Sequence, residues 1–68
     1  MNDRIFRLTE VTGTSTTTIE EAIQNAVKSA ARAVGELRWF EVSEIRGAIR
    51  DDQVSQWQVT IKIGSRME

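Results

Sequence analysis

The sequence predicts an α+β fold of order β-α-β-β, with one amphipathic helix packed on a three-stranded antiparallel sheet. Two patterns predict it. Apolar residues between Ile19 and Val34 recur at helical spacing, and those between Trp57 and Ile63 alternate with period two. A third observation bounds the assembly: 68 residues with no cysteine and no histidine. That length holds a single domain, residues 1–68, whose small core is marginal alone. Disulfides and zinc cannot supplement it, which leaves partner subunits as the stabiliser.

Arg4 to Val11 reads as the first strand, although Phe6 and Leu8 differ in parity from Ile5 and Val11. The hydroxyl run Thr14-Ser15-Thr16-Thr17-Thr18 follows Gly13, and both Thr17-x-x-Glu20 and Thr18-x-x-Glu21 fit a helix-capping pattern. Ile19, Ala22, Ile23, Ala26, Val27, Ala30, Ala33 and Val34 then mark one helix face from about Thr18 to Val34, with Gly35 placed for a left-handed C-terminal cap. The alanines on that face require a close neighbour. Leu37 to Ile49 is strand-like but slips phase between Val42 and Ile45. A bulge near Ser43-Glu44 reconciles the two halves and puts Trp39 and Arg46 together on the face away from the helix. Arg50-Asp51-Asp52-Gln53 is a tight hairpin turn. In the last strand Trp57, Val59, Ile61 and Ile63 form the core side, while Gln56, Gln58, Thr60 and Lys62 face the other way. Trp39 on the uncovered sheet face marks an interaction site.

The composition excludes several functions. Without cysteine or histidine there is no thiolate nucleophile, no imidazole acid–base and no haem or iron–sulfur attachment. Nine basic against ten acidic residues lack the basic excess of a nucleic-acid binder. No apolar run exceeds two residues, whereas a membrane span needs roughly 20, so the chain reads as cytoplasmic. Seven of the nine cations are arginine, the side chain suited to bidentate phosphate contacts.

Gly13-Thr14-Ser15, Trp39-Phe40-Glu41-Val42, Ile45-Arg46-Gly47, Gln58-Val59 and Ile63-Gly64-Ser65-Arg66, in this order over Phe6 to Met67, resemble the bacterial dodecins. The resemblance implies a hollow homododecamer that binds flavin (FMN, riboflavin or FAD) as stacked pairs, for storage, buffering or photoprotection and not for catalysis. It also implies a link to coenzyme A. Carried over position by position, it makes Trp39 the flavin-stacking residue and Gln58 the amide that reads the pyrimidine edge. Arg46 then lies toward the ribityl–phosphate end, and Arg66 is a phosphate-side contact.

Taken without the family, Trp39 reads equally as subunit packing, Gln58 as a solvated strand residue, and Arg46 and Arg66 as surface cations. A small flavoenzyme using Glu41 or Glu44, or a protein-interaction module built on the Trp39 face, are the alternatives. Two positions depart from the family pattern. Arg38 stands where Asp is common, reversing the charge beside Trp39, and Ser65 stands where Phe is common, removing an apolar wall beside Arg66.

Overall fold

The computed structural model describes residues 3–67. Its elements are β1 (Phe6–Ser15), α1 (Ile19–Ala33), β2 (Leu37–Arg50) and β3 (Gln53–Arg66), the predicted β-α-β-β order. The sheet is antiparallel throughout with strand order β1-β3-β2, so the last strand is central.

Thr18 caps α1: its side chain accepts from the Glu21 backbone N–H at 3.0 Å. Of the two capping patterns the sequence offers, the second is used. Glu21 does not close the reciprocal half of the box; its Oε1 accepts instead from the hydroxyls of Ser15 at 2.6 Å and Thr17 at 2.7 Å. The helix ends at the Val34 C-cap, and Gly35 follows at φ 75°, the left-handed geometry that glycine takes without a Cβ penalty. The β2–β3 connection is the two-residue turn Asp51-Asp52, both at positive φ (54° and 61°), with Arg50 and Gln53 paired across it. Positive φ at both central residues matches the right-handed strand twist, and aspartate tolerates it.

The predicted bulge is present. The register of β2 against β3 shifts between Val42 and Glu44, so Phe40, Val42 and Ile45 all lie on the same side, opposite Ile63, Ile61 and Val59. The core is compact: Ala22, Ala26 and Ala30 from α1 against Val59, Ile61 and Ile63 from β3. Burying each of the three branched strand residues contributes about 1.5–3 kcal/mol. The neighbour that the alanine stripe demanded is β1 at Gly13, where any Cβ would collide with the Ala22 carbonyl oxygen and the Ala26 methyl.

Two expectations are corrected. The first strand runs Phe6–Ser15 and not Arg4 to Val11, because pairing with β3 continues unbroken to Ser15 opposite Trp57. The hydroxyl run is therefore split between strand, turn and cap. Trp57 is half-buried and outside the core cluster. It faces the helix side, but at the point where the chain leaves β1 to begin α1. The helix packs on β1 and β3, which leaves the same-side residues of β2 uncovered: Phe40 is 49% exposed and Ile45 52%. No helix among the described residues is long and apolar enough to cross a membrane.

Candidate functional site

Residues directly opposite on neighbouring strands project to the same side of a sheet. Trp39 lies opposite Gly64 and Arg46 opposite Gln58; Phe6 lies opposite Arg66. Gln58, Gly64 and Arg66 are even steps apart on β3, whose register with β1 is unbroken there. Trp39, Arg46, Gln58 and Arg66 therefore share the sheet face turned away from α1.

Trp39 is seated on the backbone. A Cβ at Gly64 would overlap Cε2, Cζ2 and Cδ2 of the indole, atoms of the ring fusion and the benzo ring. The indole therefore covers the glycine, and only a residue without a side chain admits it. Phe6 meets the indole edge-on, with ring centroids 6.0 Å apart and planes at 63°, a favourable aromatic geometry. Held from beneath and from one side, Trp39 is still 41% exposed. It is a flat apolar platform open to a planar ligand.

Arg66 belongs to the same end of the sheet. It lines a cavity of about 240 Å³ with Arg4, Phe6 and Arg38. Arg38 is 3.8 Å from the Glu36 carboxylate, with both side chains more than half exposed.

Gln58 and Arg46 form a second group. Six residues along β3 separate Gln58 from Gly64, about 20 Å at strand rise. One chain therefore does not bring Trp39 together with Gln58 and Arg46. The Gln58 amide donates to Gln56 Oε1 at 2.9 Å, which fixes its orientation and leaves its carbonyl and second N–H for another partner. Arg46 lies 3.8 Å from Glu44 in an exposed pair of the kind that contributes little. The carboxylates considered for acid–base work share this outer face: Glu41 stands opposite Lys62 and Glu44 opposite Thr60, where Glu44 is paired with Arg46.

Sequence reasoning missed Gly64 as the seat of Trp39, Phe6 as its edge partner and Gln56 as the orienting group for Gln58. A signal existed for the first, since a glycine inside an alternating strand marks a close approach.

A family model described as Dodecin matches residues 5–68. A Thermus thermophilus protein named Dodecin is 40% identical over 65 residues, covering 96% of this chain and 94% of that one. The solved dodecin from Streptomyces coelicolor superposes with a TM-score of 0.92 at 46% identity, covering 100% of this chain and 97% of its own. Dodecin from Streptomyces davaonensis gives a TM-score of 0.91 at 39% identity, with 98% of each chain covered.

Proposed function

The chain belongs to the dodecin family of small flavin-binding proteins, and from that membership we propose that it sequesters flavin as stacked pairs between the Trp39 residues of two-fold related subunits. The observation that carries this reading is the seating of Trp39 on Gly64. A two-fold axis turns one such platform into two facing ones, and the gap between them accepts planar aromatic rings. The isoalloxazine of FMN, riboflavin or FAD fits this donor set: an indole for its face and an oriented amide for its pyrimidine edge.

In this reading Gln58 holds that edge through its free carbonyl and N–H. Arg46 and Arg66 lie toward the ribityl–phosphate side, where guanidinium forks suit phosphate oxygens. Because Gln58 is remote from Trp39 in its own chain, the site is assembled from two subunits, and the whole is a homododecamer of the 1–68 domain. The role is storage, buffering and photoprotection in the cytoplasm, without catalysis. An indole at contact distance donates an electron to excited flavin and quenches it before it can react. Coenzyme A, the other ligand the resemblance implies, would have to bind without a wall from position 65, where the small Ser65 is buried.

The test is a flavin titration read by emission. Flavin fluorescence should fall nearly to zero and saturate near one flavin per chain. Trp39→Ala should restore emission and weaken binding while the particle persists. A parent protein that leaves flavin emission unchanged refutes the proposal.

A further inference from the structure

We propose that Gln56 is the positioning residue that decides which ring edge Gln58 reads. By taking one Gln58 N–H, it makes that amide selective for a ring N–H lying beside a carbonyl. This deepens the flavin reading above, on which it rests.

Gln56 and Gln58 are two positions apart on β3 and share its outer face. Both are half-buried. The strands are closely built at Gln56. Its cross-strand partner is Ala48, and the Ser55 hydroxyl donates to the Ala48 carbonyl at 3.2 Å, where the register shifts between Ala48 and Ile49. A Cβ at Gly47 would come within 2.7 Å of the Gln56 carbonyl oxygen. On the other side β1 ends at Ser15, opposite Trp57, so it does not reach Gln56. A methyl on one side and no strand on the other give the Gln56 amide no polar side chain directly across the sheet. It reaches along the strand instead, and its Oε1 accepts from Gln58 Nε2 at 2.9 Å.

An amide's nitrogen and oxygen are nearly equal in size, so shape alone does not decide which of them Gln58 presents. Hydrogen bonding decides it. Arg46, across from Gln58, carries donors only and cannot take the N–H. Gln56 Oε1 takes it. Gln58 is left with its carbonyl oxygen and second N–H on one planar group, the complement of a ring edge where an N–H lies next to a carbonyl. Were the bond reversed, with Gln56 donating to Gln58 Oε1, both Gln58 N–H groups would be left for the ligand. The site would then favour ring acceptors. Glutamine also loses much rotamer freedom when it is ordered. The bond to Gln56 orders Gln58 before a ligand arrives, which lowers the cost of binding.

The experiment measures the affinity of the intact assembly for riboflavin and for N3-methylriboflavin, in which the ring N–H is replaced, and reads the ratio of the two. The parent is compared with Gln56→Glu, which only accepts, Gln56→Lys, which only donates, and Gln56→Met, which is similar in length without the amide. The parent should favour riboflavin by about tenfold or more. That ratio should be kept in Gln56→Glu, fall by about threefold in Gln56→Met, and be lowest in Gln56→Lys. The bulk of the methyl is common to every variant, so the change in ratio reports the hydrogen bond. A purely structural role for Gln56 would move both affinities together and leave the ratio alone. Light scattering on each variant checks that the particle is intact, and a variant that fails to assemble leaves the comparison to the others. A parent ratio near one, or a parental ratio in both Gln56→Lys and Gln56→Met, overturns the role of Gln56 while the flavin reading stands. Riboflavin that does not bind the parent overturns both.

Discussion

Trp39 and Gly64 are cross-strand partners, and the indole occupies the space where a side chain at position 64 would stand. The glycine thereby sets the orientation of the aromatic platform.

Gly64→Ala should displace the indole and reduce flavin affinity by about tenfold, a loss near 1.4 kcal/mol. Bound flavin should regain emission. The same change at an unhindered strand position would stabilise by about 0.4–1 kcal/mol. Unaltered quenching in this variant would mean that Trp39 needs no seat.

Gly13→Ala tests the other close approach, where the new methyl would meet helix backbone and the Ala26 side chain. Neither can yield without shifting α1. Overpacking of this kind costs about 1–3 kcal/mol, which lowers the thermal midpoint by on the order of 10 °C for a chain of this size. Melts at equal protein concentration, parent against variant, measure it.

Glu21 predicts an acid-side dependence. Hydrogen bonds from the Ser15 hydroxyl first, and the Thr17 hydroxyl second, hold its carboxyl below the ordinary value of 4.5. A carboxyl lowered in the folded state contributes stability above its unfolded pKa, and that contribution fades as pH falls through the folded value. Glu21→Gln should therefore be less stable than the parent at pH 7, with the difference shrinking below about pH 4.5. Denaturant midpoints across that range report it, and a pH-independent difference would count against the link.

The uncovered side of β2 predicts how assembly can be broken. Phe40, Val42 and Ile45 lie exposed beside the core strand residues they pair with, an apolar strip that a second copy of the chain would cover. Light scattering on the parent should find twelve chains of 7.7 kDa, about 92 kDa in a closed shell. Phe40→Asp or Ile45→Asp should reduce it to smaller species, whereas Trp39→Ala, on the opposite face, should not. An intact particle in both aspartate variants would place the interface elsewhere.

Local features of this chain are legible in its sequence because each is set by neighbours along it. Thr18 and Gly35 bound the helix, Asp51-Asp52 makes the turn, and the phase slip near Ser43-Glu44 declares the bulge before any partner is known. The even parity of Gln58 and the bulge-corrected phase of Trp39 and Arg46 likewise placed them on one face. What the tertiary structure alone decided depends on pairing between distant segments. Nothing local makes β3 the central strand or carries β1 on to Ser15; the register of β1 against β3 does both. Nothing local says that α1 covers β1 and β3 but not β2, which leaves Trp57 half-buried and Phe40 exposed. Gly64 is 25 positions from the indole it seats, and Arg4 and Arg66 stand at opposite ends of the sequence. They meet because antiparallel pairing brings the start of β1 beside the end of β3, a juxtaposition that sequence spacing cannot encode.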